Sequence, residues 1–333
     1  MFFRRIMKKQ KKTIGIFLIF LAGMVVLVTI GIWGNAYYLE QQNKLSAKEL
    51  DDLSITREKV VIPELKQGYH LFFMADSHIS LCDERDGEVQ EKAVQRQAGF
   101  VDENGTPSYE TFDRLIKASN TLGSDLLILG GDIIDSAMYA SVDYVTEELN
   151  KLDAPYVYCL GNHDFEYGNE YFSEKAYEEY RPRLKEITAE DTWQMVEYED
   201  LIIFTADDRN NQIEKSTVKG LMTAIKKEKP IVLVMHVPME PLTGDTSLLE
   251  DSIQVWGPSE EGNSRVIIGE DGCQPKKYTQ KFIDLVTAKD SPVKLVLGGH
   301  IHFYHKDNIT EDLVQIVTGA AYEKHALYVT LTS

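Results

Sequence analysis

Five short apolar runs in this chain end alike, and that shared ending constrains the fold more than any other feature. The run 69–75 leads into Asp76-Ser77-His78, and 126–129 into Gly130-Gly131-Asp132-Ile133-Ile134-Asp135. The run 155–160 leads into Gly161-Asn162-His163-Asp164, 231–235 ends at His236, and 293–297 leads into Gly298-Gly299-His300-Ile301-His302. Runs this short, bounded by turn residues, read as buried strands. Helical spacing separates them over 109–122, with Ser108 as a candidate N-cap, and over 142–152, 217–227 and 278–288. Residues 192–198 and 201–206 read as a hairpin, and 314–318 and 327–331 complete the strands. This alternation predicts an α/β fold. In such sheets ligands gather at the C-terminal tips of the strands.

Imidazole, carboxylate and amide oxygen together suit borderline divalent metals such as Mn, Fe or Zn. A two-metal site needs a bridging carboxylate with ligands on either side, and it can clamp both oxygens of a phosphoryl displacement. The Asp-x-His pair Asp76/His78 and the His-x-His pair His300/His302 each place two ligands on one face as a strand ends. Taken singly, Asn162 reads as a turn residue, His236 as a core histidine and Asp135 as a helix cap. Jointly and in this order they read as a metal centre.

Asp-x-His, Gly-Asp-x-x-Asp, Gly-Asn-His-Asp, a lone strand-end His and Gly-His-x-His, in that order, resemble the calcineurin-like metallophosphoesterase family. The resemblance covers residues 67–331. It implies a two-sheet β-sandwich flanked by helices, and a hydrolase acting on a phosphoester through two divalent ions. Carried over by position, it implies that Asp76, His78 and His302 hold one ion, that Asn162, His236 and His300 hold the other, and that Asp132 bridges them. It further implies that His163 contacts the phosphate and protonates the leaving oxygen. Asp164 and Asp135 then orient neighbouring ligands.

Residues 14–34 carry no charge and are long enough to cross a bilayer, and Arg4, Arg5, Lys8, Lys9, Lys11 and Lys12 precede them. The pattern predicts a cytoplasmic segment at 1–13, a transmembrane signal anchor at 14–34, a polar stalk at 35–60 and a catalytic domain at 61–333 outside the cell membrane. A signal peptide cleaved near Gly34-Asn35-Ala36, releasing the body, is the alternative. The formal net charge is −18 although the N-terminal segment is basic, so the body is strongly acidic and repels nucleic acid. Three cysteines, Cys82, Cys159 and Cys273, make no disulfide framework.

Two long segments, 81–108 and 238–275, depart from the usual family pattern. Arg85, Arg96 and Arg265 within them are candidates to grip a phosphate bidentately. A metal-binding scaffold without activity is the rival from another class, and it predicts a missing ligand; every expected position is filled. Sequence leaves open the substrate, monoester or diester, the metal and the oligomeric state.

Overall fold

The strand that opens the domain is one that sequence periodicity conceals. The computed structural model describes residues 42–165, 178–188, 192–258, 267–268 and 274–333. Within it, Ser54–Val61 forms strand β1, paired in parallel with the last strand, β11 (His325–Thr332). The expected stalk at 35–60 is therefore corrected over 54–60, which belongs to the sheet. β1 lies at the sheet edge and carries Arg57, Glu58 and Lys59, charges that discourage edge-to-edge pairing and that also mask the strand in the sequence. A short helix, α1 (Ala47–Asp51), precedes it. Ser46 and Glu49 close a capping box there.

One sheet has the order β1-β11-β2-β3-β4, with β2 at Tyr69–Met74, β3 at Leu126–Leu129 and β4 at Tyr156–Tyr158. The other has the order β5-β6-β7-β8-β10-β9. Its strands are β5 (Trp193–Glu197), β6 (Ile202–Ala206), β7 (Ile231–Val234), β8 (Val293–Gly298), β9 (His305–Thr310) and β10 (Leu313–Val317). β2, β3 and β4 are mutually parallel, as are β6, β7, β8 and β10. The expected hairpin is β5–β6.

Side chains alternate across each strand, and the alternation separates the layers. Leu71, Phe73, Leu126 and Ile128 from the first sheet share a core with Ile203, Val232, Val234, Leu295 and Leu297 from the second. The outer face of the second sheet, with Phe204, Leu233 and Val296, packs on α5 (Lys215–Ile225) and α7 (Lys277–Val286) through Leu221 and Phe282. On the outer face of the first sheet, Tyr328 of β11 donates its hydroxyl to the Leu122 carbonyl, at the end of α3 (Ser108–Leu122). The mixed α/β sandwich with flanking helices expected from the sequence is what forms.

Some details differ. Pro107, not Ser108, is the N-cap of α3. Ser108 instead accepts from Gln97 Nε2 at 3.0 Å and donates to the His78 carbonyl at 3.4 Å, so it serves the site rather than the helix. The segment 81–108 is not one loop, because it contains α2 (Gln90–Gly99). α4 (Tyr139–Leu149) begins and ends earlier than its spacing suggested. The segment 238–275 holds α6 (Ser247–Trp256). Cys82 and Cys159 are free thiols, and Cys273 lies outside the described residues. The expected membrane span at 14–34 and the basic segment at 1–13 also lie outside them. Among the described residues, no helix is long and apolar enough to cross a membrane.

Candidate metal centre

The parallel strands deliver their C-terminal tips to one place because the tips are hydrogen-bonded to each other. Asp76 donates its backbone N–H to the Gly131 carbonyl at 2.9 Å, and His78 to the Asp132 carbonyl at 2.9 Å, so the β2 and β3 tips run together. The His300 N–H reaches Asp76 Oδ2 at 2.9 Å, and the His163 N–H reaches Asp132 Oδ1 at 2.7 Å. Backbone crowding shows at Gly161, where a Cβ would run into the Asp132 carboxylate. At Gly131, with φ +92°, a Cβ would lie 2.5 Å from His236 Nδ1. Only glycine fits either position.

Five of the seven expected ligands adopt a left-handed backbone: Asp76 (φ 60°), His78 (49°), Asp132 (52°), His300 (72°) and His302 (62°). Each such residue costs of order 1–3 kcal/mol, and such strain clusters where function over-determines geometry. Here it turns successive side chains inward from the strand ends.

The side chains converge in two groups. Asp76, His78 and His302 offer ligand atoms within 4.8 Å of one another, as do Asp132, His236 and His300. His78 Nε2 lies 3.1 Å from His302 Nε2, and His302 Nε2 lies 3.4 Å from Asp76 Oδ1. In the second group, His236 Nε2 lies 3.1 Å from Asp132 Oδ2 and 3.2 Å from His300 Nδ1. Asp132 Oδ2 also lies 3.9 Å from His78 Nε2, so one carboxylate oxygen faces both groups. Asp76 Oδ1 and Asn162 Oδ1 are buried and accept no hydrogen bond among the described residues. Buried acceptors without donors are costly. The carboxylates of Asp76 and Asp132 and four imidazoles aimed at shared points fit divalent cations.

Supporting contacts fix the imidazoles. The Gly130 carbonyl can only accept, so His236 Nδ1 donates to it at 2.8 Å and Nε2 is left toward the cluster. Asp135, wholly buried, lies 3.3 Å from His78 Nδ1 and 3.0 Å from His163 Nδ1. Those two histidines and Asp135 form a third group of potential ligands that the sequence reading did not contain. Asp164 accepts from the N–H groups of Gly161 (2.7 Å), Asp132 (3.1 Å) and Ile134 (3.2 Å) and from the Tyr158 hydroxyl (2.8 Å). It thus ties the β3 tip to the β4 tip.

Electrostatics agree with a site built for positive charge. Burial works against a charged His236, yet Asp132 and Asp76 push its pKa up to about 10. Burial raises the Asp132 carboxyl, but His236 and His163 outweigh it and hold the group well below the usual carboxylate range. Burial depresses His300 to about 3, reinforced by the charge of His236. His78 is also lowered, chiefly by burial. Burial likewise opposes ionisation of Asp135, but Arg96, His163 and His78 hold it below its usual value. His163 is raised: burial lowers it, and Asp132 and Asp135 more than compensate.

Of the candidate arginines, Arg96 reaches the cluster through Asp135, donating from Nη2 to Oδ1 at 2.7 Å. Arg85 does not: its partners are Asp83, Asp143 at 2.6 Å and the Tyr139 ring. Arg265 lies outside the described residues. Sequence reading missed Asp208, which accepts from the N–H groups of His236 (3.1 Å) and Val237 (2.9 Å) and is pushed up to about 7, chiefly by burial. Phe100, within 81–108, stacks on His78 with centroids 4.3 Å apart and planes 6° apart.

A sequence model described as calcineurin-like phosphoesterase matches residues 69–304. The chain belongs to this family. As a calcineurin-like phosphoesterase it is a hydrolase of phosphoric ester bonds. Among solved structures, it is similar to a dimetal phosphatase from Danio rerio, at 11% identity and TM-score 0.46 over 77% of this chain and 88% of that one. It is also similar to the calcineurin-like phosphoesterase YfkN from Bacillus subtilis, at 12% identity and TM-score 0.36 over 77% and 82%. No curated protein matches this phosphoesterase in sequence.

Proposed function

We propose that this phosphoesterase holds two divalent ions and hydrolyses a phosphoester with water. Asp76, His78 and His302 would hold one ion and Asn162, His236 and His300 the other, with the Asp132 carboxylate between the two groups. The observation that carries this reading is Asp132 Oδ2, which lies 3.1 Å from His236 Nε2 and 3.9 Å from His78 Nε2, between the two groups. Mn, Fe or Zn suits the mixed donor set. When bound, such ions supply Lewis acidity and lower the pKa of water.

The chain's own residues complete the chemistry. Asp135 receives Nδ1–H of His163, which leaves Nε2 to face the reacting phosphate. Asp132 and Asp135 favour the protonated form of that imidazole, and Nε2–H passes to the leaving oxygen as the ester bond breaks. Asp164 fixes the Asp132, Ile134 and Gly161 backbones by accepting from their N–H groups. A His163→Ala variant tests the role. It should lose roughly 10²–10³-fold on an alkyl phosphoester and far less on a nitrophenyl one, whose leaving group needs no acid. Equal losses on the two esters would assign His163 to phosphate positioning instead.

We also propose that the catalytic domain lies outside the cell membrane, held by residues 14–34; the basic residues ahead of that stretch support the orientation. Protease added to intact cells should digest the body, and protection of the body would refute the orientation.

A further inference from the structure

Helix α2 and its C-cap meet the centre together. Arg96 presents its Nε and Nη2 edge to Asp135, Nη2 to Oδ1 at 2.7 Å and Nε to Oδ2. Asp135 Oδ1 also faces His163 Nδ1 at 3.0 Å and His78 Nδ1 at 3.3 Å. Phe100, four residues after Arg96, covers the face of His78, and the Arg96 guanidinium lies 4.9 Å over the Phe100 ring. Arg96 thus binds the same imidazole by two routes, through a carboxylate at its edge and through an aromatic ring at its face. The Arg96 side chain is 34% exposed and Asp135 is fully buried, so the arginine reaches inward to a carboxylate that needs a cationic partner.

We propose that Arg96 is a positioning residue for phosphoester hydrolysis, locking Asp135 so that His163 is aimed at the leaving oxygen. The inference rests on the phosphoesterase reading above. The Nε–Nη2 edge of Arg96 is committed to Asp135, and Nη2 also lies 3.5 Å from His163 Nδ1, so this role differs from the phosphate grip expected from the sequence. Lysine does not reproduce that planar fork. The two roles differ in what they change. A residue acting through Asp135 alters the step that His163 serves and leaves substrate affinity alone, whereas a phosphate grip acts on affinity.

The test compares Mn-loaded full-length wild type with Arg96→Met on an alkyl and a nitrophenyl ester of the same phosphate class. The variant should lose about 10–100-fold in kcat on the alkyl ester, the usual scale for losing a partner of an active-site ligand. On the nitrophenyl ester it should lose only about threefold or less, with KM within about twofold on both. In a His163→Ala background, Arg96→Met should add little further loss on the alkyl ester, because the two residues act in series. Arg96→Lys should recover only part of the activity, and it carries the same comparison if the Met variant does not fold. A raised KM with equal losses on both esters, or a full additional loss in the His163→Ala background, would overturn the proposal. Wild type that hydrolyses neither ester would instead overturn the phosphoesterase reading, before any variant is made.

Discussion

Asp132 sits in crowded surroundings. Its Oδ1 accepts from the His163 N–H at 2.7 Å, its Oδ2 faces His236 and His78, and Gly161 leaves it room. A carboxylate facing both ligand groups matters more than a ligand that faces one. Asp132→Asn should therefore lower kcat roughly 10²–10³-fold, the scale of losing a preorganised charge at a reacting centre. That loss should exceed those of Asp76→Ala and His302→Ala, compared by steady-state kinetics at saturating Mn. Near-normal turnover by Asp132→Asn would place the bridge elsewhere. The ligand positions were legible because Asp, Asn and His at strand ends break apolar runs visibly. Asp208 was legible by the same rule and was overlooked: it follows β6, beside β7 in the second sheet, as Asp132 follows β3 in the first. The stacking of Phe100 on His78 was not legible, since no periodicity tells which aromatic returns to which imidazole.

At the scale of elements, most of the strands follow from short apolar runs and the helices between them, whereas β9 and the order of strands within each sheet were not read from the sequence. β1 was hidden because an edge strand with charges on successive residues has no apolar alternation. The wall beside the site is held by another charge that sequence did not reveal. Lys324, 3% exposed and with φ 70°, pairs with Asp102 at 2.9 Å and follows the turn Ala321–Glu323 that carries Tyr322 against Phe100. Asp102 also accepts from the N–H groups of Asn104 and Thr106, each at 2.8 Å. Burial opposes its ionisation, but Thr106, Lys324 and Asn104 outweigh that and lower it to about 2. A carboxyl whose folded pKa is depressed stabilises the fold above its unfolded value of 3.8 and loses that contribution as pH falls toward 2. Lys324→Met should accordingly lower Tm at pH 6, and the gap from wild type should shrink between about pH 4 and pH 2. A gap independent of pH in thermal melts would show that Lys324 acts by packing alone.

On the scale of the whole molecule, an acidic body surrounds a centre that draws positive charge. The formal net charge of −18 disfavours polyanions at long range, so attraction for a phosphoester must be local. The same local field lifts His236 to about 10 and holds the Asp132 carboxyl well below the usual range. The most direct test is the metal content of the folded full-length protein. After loading with Mn or Zn and removal of free ion, elemental analysis should give two ions per chain, falling toward one or none in Asp132→Asn. Wild-type protein that is folded by circular dichroism and holds no ion would contradict the two-ion centre.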